Sequence, residues 1–159
     1  MSIELVWGSA EGTTELSAFD AALADAGIHN YNLITLSSVI PKGESVEPVG
    51  SHRGRWDVGD MVGAVLAERA STSADETVAA GLGWARSDEG GVFFEASGES
   101  AADVETRLRR GIRDAKSTRE AWRWEPDVET RVVEHTVEHA NAGAAVVAAV
   151  YEPLTTASR

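Results

Sequence analysis

Cysteine is absent from the 159 residues. That excludes disulfides, thiolate metal sites and a cysteine nucleophile. Lysine is nearly absent as well: Lys42 and Lys116 stand alone, and every other basic residue is arginine. No apolar run reaches the roughly 20 residues a membrane span needs. The start, Met1-Ser2-Ile3-Glu4, has no basic region and no long apolar stretch of the kind a secretory signal carries. A cytoplasmic protein is therefore expected. The charge balance is one-sided, with a formal net charge of −12 and a pI near 4.7. Such a surface repels phosphate backbones and anionic lipid, so nucleic acid and membrane are not expected partners. The acidic residues are spread along the chain rather than gathered in a tail. This reads as a solvated acidic shell suited to high salt, where screening collapses the repulsion between carboxylates, and a halophilic source is expected.

What is present suffices for one domain. The chain is 43% hydrophobic, enough for a real core at a length that fits a single compact unit spanning residues 1–159. Ile3 to Trp7 reads as a strand. Thr13 or Thr14 caps a helix whose stripe is Leu16, Phe19, Leu23 and Ala26, stopped by Gly27. Tyr31 to Ile40, ended by Pro41, reads as one strand. Lys42 to Asp60 reads as a long exposed loop of the kind that carries function. Strands are expected at Met61 to Ala70, Thr77 to Ala85 and Val92 to Ala96, with a turn at Asp88 to Gly91. Ser100 and Asp103 begin a second helix with Val104, Leu108, Ile112 and Ala115 on its apolar stripe. Val128 to Glu138 and Ala144 to Tyr151 read as a closing hairpin turned at Ala140-Asn141-Ala142-Gly143, followed by a frayed tail. Strands without strict βαβ alternation argue for a layered α+β domain.

Three motifs are weighed for chemistry. His135-Thr-Val-Glu138-His139 fits the inverted zinc-peptidase pattern, but that pattern needs a helix. On a strand, histidines four residues apart are roughly 13 Å from each other, too far to share one ion. No metal is expected. Gly8-x-x-x-Gly12 faintly resembles a phosphate loop without its Gly-Lys-Ser/Thr ending. Arg107, Arg109, Arg110 and Arg113 read as a solvated helix face pairing with Asp103, Glu105 and Asp114. The five tryptophans are expected to pack the core or an interface. The third motif is the pair Ser37-Ser38. A serine pair by itself serves turns and caps, but this one sits in the apolar stretch Leu33-Ile34-Thr35-Leu36-Ser37-Ser38-Val39-Ile40, where buried hydroxyls need partners.

Gly8-Ser-Ala-Glu-Gly12, Leu16-Ser-Ala-Phe-Asp20, and the run from Ala26 through Asn32 and Ser37-Ser38 to Pro41 resemble the pyruvoyl-dependent arginine decarboxylases. So do Val92-Phe-Phe-Glu95 and Val133-Glu-His-Thr-Val-Glu138 with its following alanine-rich strand. The resemblance implies a four-layer αββα sandwich that assembles as a homotrimer with active sites between subunits. It implies self-cleavage at Ser37–Ser38 into fragments 1–37 and 38–159, with Ser38 becoming a pyruvoyl group, the covalent cofactor. The substrate implied is a small molecule, the amino acid L-arginine, converted to agmatine and carbon dioxide. Glu95 matches the family's proton donor, a role that needs a carboxyl protonated near neutral pH and hence a raised pKa. Asn32 matches the asparagine of processing, a candidate oxyanion donor. Asp20 matches an acidic residue that meets the guanidinium end. Leu23, His29, Tyr31 and Val39 complete the expected substrate lining. The chain departs from the family pattern at His29, where glycine is usual, and at Tyr31, where a smaller apolar residue is usual. A larger lining narrows or changes substrate choice. A different amino acid, or a non-catalytic oligomeric binding module of the same fold, are the alternatives.

Overall fold

Alternating apolar residues at the N-terminus build strand β1 (Ser2–Gly12), and Thr14 then turns the chain into helix α1 (Glu15–Asp25). The structure, a computed structural model, describes residues 2–54, 56–139 and 141–154. Thr14 Oγ1 accepts from the Ser17 N–H at 3.0 Å while Ser17 Oγ accepts from the Thr14 N–H at 2.9 Å. This reciprocal cap satisfies two otherwise orphaned donors, and losing such a cap costs about 1 kcal/mol. The helix buries Ala18, Ala22 and Leu23 against β1 and its neighbours. Gly8 explains how closely it lies: a Cβ there would come within 2.4 Å of the Ala22 carbonyl oxygen. Gly12 is similar, with the Ala18 nitrogen 2.5 Å from its would-be Cβ. The glycine pair that resembles a phosphate loop is therefore a seat for the helix backbone, inside a strand rather than a loop.

The chain continues through β2 (Asn32–Thr35), β3 (Val39–Ile40), β4 (Ser45–Gly50), β5 (Met61–Ser71), β6 (Thr77–Ser87) and β7 (Gly90–Gly98). Helix α2 (Ala101–Ser117), capped by Ser100, precedes β8 (Glu129–Thr136) and β9 (Ala142–Pro153). The strands form one sheet in the order β2-β5-β9-β1-β4 and a second in the order β3-β7-β6-β8. Phe93, Leu82 and Trp84 of the second sheet meet Ile3, Leu5, Val65, Val147 and Ala149 of the first in the core between them. Helix α1 covers the outer face of the first sheet through Val6, Val146 and Ala148. Helix α2 covers the outer face of the second through Val104, Leu108 and Ile112. The architecture is the expected α+β sandwich in four layers, αββα.

Sequence-based expectation departs from the structure in three places. Tyr31 to Ile40 is not one strand. It pairs as β2 in the first sheet and β3 in the second, broken at Leu36 to Ser38. Lys42 to Asp60 is not all loop, because β4 pairs in parallel with β1. Pro48 lies within this strand, which as an edge strand tolerates a missing N–H. β8 and β9 are not a hairpin: β8 pairs with β6, whereas β9 lies between β1 and β5 in the other sheet. β9 is buried at nearly every residue because it is sandwiched between α1 and the second sheet, which is why its sequence shows small apolar residues without alternation. Ala140 of the expected turn, and the expected frayed tail at 155–159, lie outside the described residues.

The arginine face of α2 pairs as expected at two positions, Arg107 with Asp103 at 3.0 Å and Arg109 with Glu105 at 2.8 Å. Trp84 is a core residue, and Trp7 lies under the Arg131 guanidinium, 4.2 Å from its ring centre.

Candidate active site

β2 is the edge strand of one sheet and β3 the edge strand of the other. Residues Leu36, Ser37 and Ser38 therefore carry the chain across the open side of the sandwich. Leu36 is tied to the first sheet: its N–H donates to the Ala64 carbonyl at 3.0 Å, and its side chain packs into the inter-sheet core. Gly63 makes room for it, since a Cβ there would meet Leu36 Cδ1 at 2.8 Å. Ser38 is tied to the second sheet, its carbonyl accepting from the Phe93 N–H at 2.8 Å. Between these ties, Ser38 has φ of +70°. A non-glycine residue in the left-handed region carries a cost of about 1–2 kcal/mol and persists only where its flanks hold it. The strain sits on the N–Cα bond of Ser38, next to the Ser37–Ser38 peptide. Ser37 is exposed and Ser38 half-buried.

The pairing of Val39 with Val92 and of Ile40 with Gly91 places β7 beside this crossing. Val92 and Phe94 face α2, where Val92 packs with Ile112 and the Phe94 ring lies against Gly111. Phe93 faces the inter-sheet core. Strand alternation then turns Glu95 to the same inter-sheet side, two residues or about 7 Å beyond the Phe93 that holds Ser38. Glu95 lines an opening of about 360 Å³ with Leu66, Ala67, Glu68, Ala96, Ser97 and Arg107. It is exposed in a single protomer. Even so, desolvation by its surroundings holds its carboxyl above the ordinary value of 4.5.

The other expected residues gather elsewhere. Leu23, Tyr31 and Asn32 line a groove of about 330 Å³ with Phe19, Leu33 and Leu66, among others. Tyr31 is fixed there by an aromatic cluster, 5.3 Å from Trp56 and 5.7 Å from His52 between ring centres. Burial, with Asp60 and Glu4 nearby, raises its pKa. His52 is buried, stacks on Trp56 and pairs with Glu4 at 2.6 Å. Asn32 Nδ2 donates to the Gly59 carbonyl at 2.8 Å, anchoring β2 to the turn that precedes β5. Asn32 opens β2, and Ser37 lies two residues beyond the end of that strand. Asp20 and His29 are exposed, and neither lines the groove. Val39 is exposed at the edge beside Ser38. The groove of Leu23, Tyr31 and Asn32 and the opening at Glu95 adjoin through Leu66, which lines both. His135 of the weighed zinc motif lies in β8 and pairs with Glu11, while His139 lies past the strand, 3.7 Å from Asp75.

The distribution of these residues along a fold of this shape has parallels. Residues 2–155 match the family described as pyruvoyl-dependent arginine decarboxylase (PvlArgDC). The chain is 41% identical over 151 residues to the pyruvoyl-dependent arginine decarboxylase of Halobacterium salinarum, covering 94% of this chain and 92% of that one. The chain belongs to the pyruvoyl-dependent arginine decarboxylase family. It is also 34% identical to the member from Methanocaldococcus jannaschii over 155 residues, covering 95% and 90% of the two chains. With the member from Pyrococcus abyssi it shares 32% over 145 residues, covering 89% and 88%. The cofactor a pyruvoyl-dependent family implies is a pyruvoyl group held covalently. The residues here fit it: a serine with a strained N–Cα torsion, its carbonyl held by a backbone N–H, at an edge open to substrate.

Sequence inspection missed one residue at this family site. Tyr151 Oη donates to the Val39 carbonyl at 2.7 Å across 112 residues of chain. No local spacing could have signalled it.

Proposed function

We propose that this chain cuts itself between Ser37 and Ser38 and then decarboxylates L-arginine to agmatine. Ser38 Oγ attacks the Ser37 carbonyl carbon; the C–N bond breaks, an ester forms, and the freed amine takes the hydroxyl proton. Loss of the Ser38 Cα proton and of the Cβ–O bond releases residues 1–37 with a carboxylate terminus and leaves dehydroalanine. Hydrolysis with loss of ammonia gives the pyruvoyl terminus of residues 38–159. When present, that group supplies the electron sink that lets the Cα–carboxylate bond of an amino acid break. Glu95 then delivers a proton to the substrate Cα, for which its raised pKa suits it. Val39 borders the reacting centre. Leu23 and Tyr31 form an apolar wall for the substrate chain, and Asp20 and His29, exposed outside the groove, would meet the substrate's guanidinium end from the surface.

In the homotrimer that the family resemblance implies, the site would lie between protomers, Ser38 and Glu95 from one and Asn32 with its groove from the next. That arrangement brings the Asn32 amide to a neighbour's scissile carbonyl. The observation that carries the reading is the crossing at Ser37–Ser38, strained at +70° and pinned two residues from Glu95. Intact mass of protein purified in high salt tests it. The expected result is two fragments, 1–37 and 38–159, the larger with the mass of a pyruvoyl terminus, and agmatine formed from arginine. Ser38→Ala is expected to stay a single inactive chain. A folded wild-type chain that remains uncut overturns the proposal, and cleavage without agmatine moves the substrate to another amino acid.

A further inference from the structure

β3 is only two residues long, yet it must hold the position just after the strained serine. On one side it has β7, through Val39 and Ile40. On the other side a tie comes from the opposite sheet. Alternate residues of β9, namely Ala145, Val147 and Ala149, face the inter-sheet core. Tyr151 continues that register, packs its ring against the same core, and reaches across to the Val39 carbonyl. We propose that Tyr151 is a positioning residue for self-cleavage, its hydroxyl clamping β3 so that Ser38 stays in the left-handed conformation beside the scissile peptide.

The argument is one of mechanical support. A left-handed serine relaxes to negative φ unless its flanks are fixed. The upstream flank is fixed by Leu36, bonded to Ala64 and wedged over Gly63. The downstream flank is fixed by the Phe93 N–H at Ser38 and by Tyr151 at Val39. The Tyr151 bond also joins the two sheets. Once Ser37–Ser38 is cut, β3 loses its covalent link to β2, and the Tyr151 bond still ties the new terminus to the first sheet. Burial pushes the tyrosine hydroxyl up to about 12, so it remains a proton-bearing donor across the range in which proteins are handled. The donor is within a residue of the reacting serine but touches no reacting atom, which makes it a support rather than a catalytic group.

This inference rests on cleavage at Ser37–Ser38. The test is the rate of cleavage, followed by intact mass from freshly refolded full-length chain, for wild type, Tyr151→Phe and Thr130→Val. The last removes a comparable hydroxyl, which donates to Glu105 at 2.8 Å on the far side of the second sheet. Rates are taken on the folded fraction isolated by size exclusion, with thermal midpoints measured alongside. Y151F is expected to cut about tenfold more slowly, the kinetic equivalent of one lost hydrogen bond. T130V is expected to cut at the wild-type rate with a similar small loss of thermal midpoint. Y151F cutting at the wild-type rate overturns the clamp, as does equal slowing in T130V, which would mark a general effect of stability. A wild-type chain that never cuts fails the underlying proposal instead, so the two failures are distinguishable.

Discussion

At the scale of single residues, the chemistry depends on side chains that are ordinary by type and unusual by placement. Glu95 is one of 26 acidic residues, yet it stands among the few whose pKa is displaced upward, because Leu66, Ala67 and Ala96 crowd the opening around it. A second protomer covering that opening would raise it further. Below the ordinary carboxylate value the folded and unfolded chains both hold the proton, and the site costs nothing. As pH rises from 4.5 through the raised folded value, the unfolded chain ionises first, so stability from this group declines across that window. In the proposed role of proton donor, Glu95 is lost to catalysis in the same direction, as pH rises through its folded pKa. Glu95→Gln is therefore expected to leave self-cleavage intact while lowering kcat by about 100-fold or more. The matching measurement is the pH profile of agmatine formation, whose alkaline decline in wild type should be missing from the residual activity of E95Q.

At the scale of elements, glycine decides the packing that supports the site. Helix α1 carries Phe19 and Leu23 of the groove, and it can lie against β1 only because Gly8 has no side chain. The atom in the way is a backbone carbonyl at 2.4 Å, which cannot swing aside as a side-chain tip would. Gly8→Ala is expected to destabilise the fold by about 1–3 kcal/mol, the range for overpacking. Thermal denaturation checks this, and an unchanged midpoint would mean that the helix is free to shift outward. The elements also show which local signals were readable. The cap at Thr13 or Thr14, the cap at Ser100 and the apolar stripe of α2 were legible because caps and a 3.6-residue period are local properties; of the expected α1 stripe, Leu23 and Ala26 are buried but Leu16, in the first turn, is 76% exposed. β4 was hidden because its strand character comes from pairing with β1, more than 40 residues earlier in the chain. The break inside 31–40 was hidden because apolar residues suit either sheet, and nothing in the sequence of Leu33 to Ile40 says that the chain changes sheets at the serines.

At the scale of the whole molecule, charge and assembly dominate. A net charge of −12 with only two lysines gives a surface that repels itself in dilute buffer. Added KCl is expected to raise the thermal midpoint steadily from low salt toward molar concentrations, because screening shortens the reach of each carboxylate to about 3 Å at 1 M. A midpoint that falls with KCl would count against a salt-adapted surface. The relative from Halobacterium salinarum fits such a surface. Leu16, Ile34, Val39 and Phe94 are among the exposed large apolar residues.

The sequence by itself determined the layered α+β class, both helices with their caps, the acidic surface and the serine pair that carries the family's chemistry. These follow from composition, local periodicity and motif, all of which are written in consecutive residues. Only the tertiary structure decided where the chain crosses between sheets and that Ser38 is held at a left-handed torsion. It alone brought Tyr151 onto Val39. The physical reason is that such placements arise from contacts between residues far apart in the chain, and a one-dimensional pattern holds no record of which distant strand a residue will meet.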